Sequence, residues 1–286
     1  CGRAHPNAAR TLPRSLSRAM AMQADGHPPP VANVAEKMME THALGGKALY
    51  GAQIGILMLE ARFPRIPGDM GNALSWPFPV HYKVVRGASP DRVVRRRGEG
   101  MLDAFITAAR ELEADGVDGI TTTCGFLSLF QPAIAEAVSV PVVTSSLMQV
   151  AQVNSMLAPA KRAGILTISA SSLTAEHLAC AGAPEDTPIG STEGGRSFTR
   201  TILENELELD GAAARADNVE AAAAHQAAHP DLGAIVLECT NMAPYADDIR
   251  RATGLPVFSI LTLINWFQAS LSPNRLIPAP HAGAMT

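Results

Sequence analysis

Apolar residues fill positions 53–59 almost without a break, between Gly51 and a polar, proline-rich stretch that begins at Glu60. A run of that length and continuity predicts a strand buried on both faces. Gly164, Ile165 and Leu166 open a second run of the same kind, which leads through Thr167 and Ile168 into the serine-rich positions 169–172. A third apolar segment, Gly119, Ile120, Thr121, Thr122, Thr123 and Cys124, is echoed by Ala234, Ile235, Val236, Leu237, Glu238 and Cys239. In both copies a Pro-Val pair, at Pro141 and at Pro256, follows the cysteine by 17 positions. The offset of 115 positions that pairs Cys124 with Cys239 also pairs Ile134 with Ile249, Ala137 with Ala252, and Thr144 with Ser259, which reads as an internal duplication.

Between these strands the period changes from two to that of a helix. Met101, Leu102, Phe105, Ile106, Ala109 and Leu112 share one helical face, while Glu99, Asp103, Arg110, Glu111 and Glu113 hold the other. The alanine-rich positions 212–228, which end just before Pro230, are the counterpart in the second copy. Each copy therefore runs strand, helix, strand, cysteine turn, helix, strand, an alternation that predicts an α/β fold. The expected architecture is two pseudo-symmetric lobes, each a parallel sheet flanked by helices, with the active site in the cleft between them. Leu263, Ile264, Trp266, Phe267 and Leu271 predict a last helix that returns to the first lobe, which then comprises residues 48–160 and 262–286, with 161–261 as the second.

The first thirty residues lack any core pattern: Arg3, Arg10, Arg14 and Arg18 precede the first acid, Asp25, and Pro28, Pro29 and Pro30 end the stretch. It reads as a tail, of transit-peptide or untranslated-leader character, that takes no part in the fold. Composition narrows function by exclusion. With 47% hydrophobic and 17% charged residues and a net charge of −4, the chain reads as a soluble globular protein without a membrane span or a basic nucleic-acid surface. Four scattered cysteines are too few for a disulfide framework and lie in no CxxC pair, so reduced thiols in a cytoplasmic protein are expected.

Cys124 and Cys239 each end a strand, and in open parallel sheets ligands bind at the carboxyl ends of strands. Facing lobes bring two such ends to one cleft from opposite sides. Stereoinversion needs that arrangement, because one group removes a proton from one face of a carbon while the other returns one to the opposite face. Amides of the following helix turn are expected to lower the thiol pKa toward neutrality. A cysteine at a strand end is also a common small core residue, and Cys180, beside Leu178, is read that way; Cys1 belongs to the tail.

These features resemble the aspartate/glutamate racemase superfamily, whose members carry a catalytic cysteine after a strand in each lobe and use no pyridoxal phosphate. The resemblance runs from about Gln53 to Trp266. Leu237, Glu238, Cys239, Thr240 and Asn241 look like the family's strand-Gly-Cys-Thr-His turn, which implies a catalytic role for Cys239, carboxylate binding for Thr240 and a neighbouring contact for Asn241. Cys124, Gly125 and Phe126 stand where Cys-Asn-Thr is usual, so Gly125 replaces a side chain that normally holds the substrate. Arg65, in a loop similar to one in an uncharacterised branch of the superfamily, is a candidate carboxylate clamp. Ser145 and Ser171 are further anion-binding candidates that helix capping also explains.

The resemblance implies a cofactor-independent racemase or epimerase acting on an amino acid or derivative, without metal, and a homo-oligomer. Alternatives on the same scaffold are a maleate isomerase, an arylmalonate decarboxylase or a hydantoin racemase; a two-lobed protein that only binds a small molecule is the alternative outside catalysis. His225 and His229 are read as a surface helix end, and Arg95, Arg96 and Arg97 as a solvated face.

Overall fold

A computed structural model describes residues 46–271, so the tail at 1–30, Cys1 and residues 272–286 lie outside the described part. The first sheet contains β1 (Ile54–Leu59), β2 (Val80–Val85), β3 (Gly119–Thr122) and β4 (Val142–Val143). The second contains β5 (Arg162–Thr167), β6 (Ile189–Ser191), β7 (Leu232–Leu237) and β8 (Val257–Phe258). All pairings are parallel, and the spatial orders β2-β1-β3-β4 and β6-β5-β7-β8 are the same. The duplication extends to register, since Ile120 beside Val142 recurs as Ile235 beside Val257.

Each sheet has one strand more than the hydrophobic pattern predicts. The additional strands, β2 and β6, are edge strands. β2 is only partly buried along most of its length and β6 has three residues, so neither carries a continuous apolar run. The central strands do: β1 and β3 are almost wholly buried.

Helices cover the sheets by their apolar faces. Among them are α1 (Pro90–Val94), α2 (Leu102–Asp115), α3 (Gln131–Ala137), α4 (Val150–Met156) and α5 (Ala175–Cys180). Four more follow: α6 (Phe198–Leu203), α7 (Gly211–Ala228), α8 (Ala246–Thr253) and α9 (Ile260–Leu271). On α2, Phe105, Ala108, Ala109 and Leu112 are buried, and burying the two large ones contributes roughly 1.5–3 kcal/mol each. Gly116 ends that helix in the left-handed region at φ 107°, where a side chain is disfavoured. Asp210 caps α7 by accepting from the amides of Ala212 and Ala213 at 3.1 and 3.0 Å. α9 packs on the first sheet, where Ile260, Leu263, Ile264 and Phe267 join Ile54, Ile56 and Val143 in one cluster.

Two of the side-chain expectations change. His225 is buried on α7 and fills the space left beside Gly164 and Gly190, so it is a core residue and not part of a surface helix end. Cys180 is half-buried, not part of the core. Arg95, Arg96 and Arg97 are exposed as expected, and two of them reach elements of the other sheet: Arg95 pairs with Glu204 at 2.7 Å and Arg97 with Glu176.

Candidate active site

Cys124 and Cys239 occupy equivalent positions. Each lies just beyond a central strand, in extended backbone, and caps a 3-10 turn, Gly125–Phe130 or Thr240–Tyr245. Each turn closes with the same hydrogen bond, from the amide three residues on to the cysteine carbonyl, at 3.1 Å in both. The residues before the cysteines are anchored alike as well: the Thr123 amide donates to Leu57 at 3.0 Å and the Glu238 amide to Leu166 at 2.8 Å. Thr122 ties the first turn to its sheet by donating to the Thr144 carbonyl at 2.7 Å.

Both thiols line one small cavity, with Leu59, Phe63, Val94 and Phe126 from one half of the fold and Ile168, Ile202 and Leu203 from the other. Its volume is about 20 Å³, room for one water molecule and no larger ligand. Cys124 and Cys239 are 8% and 7% exposed. α1 and α6 meet over this space, and the Arg95–Glu204 ion pair joins their ends.

Burial pushes the Cys124 thiol up, and the nearby Glu238 carboxylate pushes it further. Cys239 is raised well above the ordinary thiol range for the same two reasons, with a smaller contribution from Cys124 itself. The turn amides of Phe126 and Leu127 at Cys124, and of Asn241 at Cys239, act in the opposite sense, as the sequence led one to expect, but burial outweighs them. Desolvation disfavours the charged form of any acid, and here it dominates.

Glu238 is the group that sequence reasoning missed. It is fully buried, and its Oε2 accepts from Thr167 at 2.7 Å while Oε1 has no hydrogen-bond partner. Burial raises its pKa to about 7, against the pull of the Thr167 and Ile168 hydrogen bonds. A Cβ at position 125 would collide with Oε1 and with the Glu238 carbonyl, so only glycine admits the carboxyl beside the Cys124 turn. In the duplicated frame Glu238 stands where Thr123 stands in the first copy.

Asp69 was missed too. A hydrogen-bonded chain runs from Cys239 Sγ to Asn241 Oδ1 at 3.6 Å, from Asn241 Nδ2 to Asp69 Oδ2, and from Arg65 Nη1 to Asp69 Oδ1 at 3.0 Å. The loop carrying Arg65 thus crosses to the Cys239 turn. Arg65 also lies over the Phe63 ring at 4.8 Å, and its Nη2 is buried without a partner.

Four of the six expected binding residues therefore sit at or beside the thiols: Gly125, Thr240 and Asn241 line the cavity, and Arg65 adjoins it through Asp69. The Thr240 hydroxyl donates to the Thr123 carbonyl at 2.8 Å, joining the two cysteine turns. Ser145 caps the next turn, accepting from the Leu147 amide at 3.2 Å, and does not line the cavity. Ser171 is bonded to Glu193 on a different part of the second half. Among the described residues no group of three or more His, Cys, Asp and Glu side chains is arranged to hold a metal ion, and no helix is long and apolar enough to cross a membrane.

Paired thiols at equivalent strand ends of a duplicated α/β fold define a class of protein, and comparison with known families agrees. Residues 104–264 match the family described as Asp/Glu/hydantoin racemase, and the chain belongs to that family. It is 30% identical over 238 residues to dimethylsulfoniopropionate lyase 3 of Emiliania huxleyi (strain CCMP1516), covering 77% of this chain and 60% of that one. A dimethylsulfoniopropionate lyase of Durusdinium sp. clade D is 29% identical over 228 residues, 76% of this chain and 74% of that one. The chain spans about 60% of the length of the Emiliania relative. The fold is shared with a doubly substituted arylmalonate decarboxylase in its liganded form, at TM-score 0.52 and 17% identity over 78% of this chain and 93% of that one.

Proposed function

We propose that this chain is a cofactor-independent enzyme that uses a buried thiol to remove the proton next to a carboxylate. On a substrate with a sulfonium group one carbon further on, it then expels a neutral sulfide. The observation that carries this reading is the pair of thiols, Cys124 and Cys239, on equivalent turns around one apolar cavity. The names of the similar lyases supply the substrate class, dimethylsulfoniopropionate.

A thiolate takes the proton from Cα, the Cα–H electron pair forms the Cα–Cβ double bond, and the Cβ–S bond breaks with its electrons on sulfur. The products are acrylate, dimethyl sulfide and a neutral thiol. An anion and a cation are consumed together, and reactions that destroy charge are favoured where water is excluded. The apolar walls at Leu59, Val94 and Phe126 suit the methyl groups of the sulfonium. The buried and unpartnered Nη2 of Arg65 is the proposed anchor for the carboxylate.

A cavity of about 20 Å³ must open to admit such a substrate. The reading takes the two sheets as two lobes, residues 48–160 with 262–286 and residues 161–261, that part along the line where α1 meets α6.

The second thiol favours a second reading, racemisation, in which the proton returns from the opposite face in place of elimination. Both readings share the first proton transfer. Proton NMR in deuterated water separates them: dimethylsulfoniopropionate is expected to give the vinyl signals of acrylate and the methyl signal of dimethyl sulfide. Deuterium exchange at Cα of an amino acid or hydantoin, with no acrylate, would favour the racemase instead.

A further inference from the structure

We infer that Glu238 is a positioning residue that acts through Cys124: its free Oε1 accepts the thiol proton and so creates the thiolate that removes the Cα proton of the substrate. This rests on the thiol chemistry proposed above and adds the missing acceptor. A thiol enclosed in a dry cavity stays neutral unless a group inside the same cavity takes its proton. Glu238 is the acid inside that cavity. It is fully buried, lines the same cavity as both cysteines, and holds Oε1 against Gly125 with no hydrogen-bond partner.

The duplicated fold sharpens the assignment. Thr123, at the equivalent position of the first copy, has an occupied hydroxyl that accepts from the Leu59 amide at 3.0 Å. Glu238 breaks the symmetry with an acid. A buried acid with one idle oxygen costs stability, so its presence calls for a chemical reason. Gly125 supplies a related observation, because a Cβ at that position would block the carboxyl.

Three acids share the cavity. The surrounding charges are few: Arg65 bears on Cys124, Asp69 bears on Cys239, and neutral His177 lies behind the Phe126 ring at 5.2 Å. Groups so close titrate together, and a single negative charge is distributed among them. With Glu238 titrating at about 7 and both thiols much higher, that charge rests on the carboxylate and moves to Cys124 as the proton crosses to Oε1. The thiolate then receives the Cα proton, and Glu238 releases the thiol proton to solvent when the cavity opens. One proton leaves per turnover, as conversion of the zwitterionic substrate to acrylate and a neutral sulfide requires.

The test follows dimethyl sulfide release and iodoacetamide labelling of Cys124, resolved by mass spectrometry, from about pH 5.5 to about pH 9.5. In the wild type both rates should rise through an inflection near 7. Glu238→Gln should lower kcat by about 10²–10⁴-fold and remove that inflection, so that labelling climbs only at higher pH. Thr167→Val, which deletes the hydrogen bond to Oε2 and keeps the side-chain shape, should move the inflection upward and guards against a Glu238→Gln protein that fails to fold. Wild-type rates and inflection in both variants would overturn the inference. So would a Cys124 that stays unlabelled below about pH 8 in the wild type. Cys124→Ser separates the two claims: full release by that variant sinks the thiol chemistry itself, whereas loss of release there with a normal Glu238→Gln enzyme sinks only the role of Glu238.

Discussion

Gly125 leaves room for Glu238 beside the Cys124 turn: a methyl group at position 125 would overlap the backbone oxygen and Oε1 of Glu238. Gly125→Ala must therefore displace the carboxyl or the turn. Overpacking of this kind costs about 1–3 kcal/mol, readable in urea unfolding. Activity should fall at least tenfold, about 1.4 kcal/mol in the barrier, because both turns carry thiols. Gly194→Ala, where a Cβ meets nothing within 4 Å, is the control and should stay within about 0.5 kcal/mol of the wild type.

Glu238→Gln should make the protein more stable in alkali while making it less active. The folded pKa of about 7 lies above the ordinary 4.5, so the contribution of this carboxyl is present below 4.5 and is lost as pH rises through about 7. Removing the ionisable group should raise stability at pH 8 by roughly 1–3 kcal/mol and change it little at about pH 4.5. Urea midpoints at the two pH values measure the difference, and equal shifts at both would contradict it.

His177 and His225 act in the opposite sense. Burial lowers both imidazoles to about 4, with the charge of Arg97 helping at His177 and His229 at His225. Their folded values lie below the ordinary 6.5, so their contribution is complete above 6.5 and disappears as pH falls toward about 4. Stability should decline through that window, and His225→Gln should flatten the decline in a series of urea titrations.

Asp69→Ala removes the shared acceptor of Arg65, Asn241 and the Gly71 amide, the last at 2.7 Å. Arg65, whose side chain is 13% exposed, is left as an uncompensated charge. Loss of one partner of a buried pair costs about 3–5 kcal/mol, and thermal unfolding should register it. Because Asn241 and Cys239 are linked to the same carboxylate, activity should fall with stability.

The parts of this protein legible in its sequence are those fixed by local pattern. Continuous apolar runs mark β1 and β5, and the shared spacing from Cys124 to Pro141 and from Cys239 to Pro256 marks the duplication, because strand and helix periods act within one segment. Edge strands β2 and β6 escape because solvent on one side relaxes the demand for apolar residues. Glu238 escapes for another reason. In the sequence it is one polar residue at a strand end, and only the glycine 113 positions earlier, brought against it by the fold, shows that its carboxyl is buried beside the Cys124 turn. Asp69 likewise reads as a loop acid until Arg65 and Asn241 close on it. The thiol pKa expectation failed because amides act locally, whereas desolvation depends on the whole enclosure.

The claim that a buried thiol starts the reaction is tested most directly by headspace measurement of dimethyl sulfide from dimethylsulfoniopropionate with the wild type, Cys124→Ser and Cys239→Ser. Circular dichroism should confirm that all three share one fold. The account predicts release by the wild type and at least a thousandfold loss, about 4 kcal/mol in the barrier, in Cys124→Ser. Release by Cys124→Ser at the wild-type rate would contradict it.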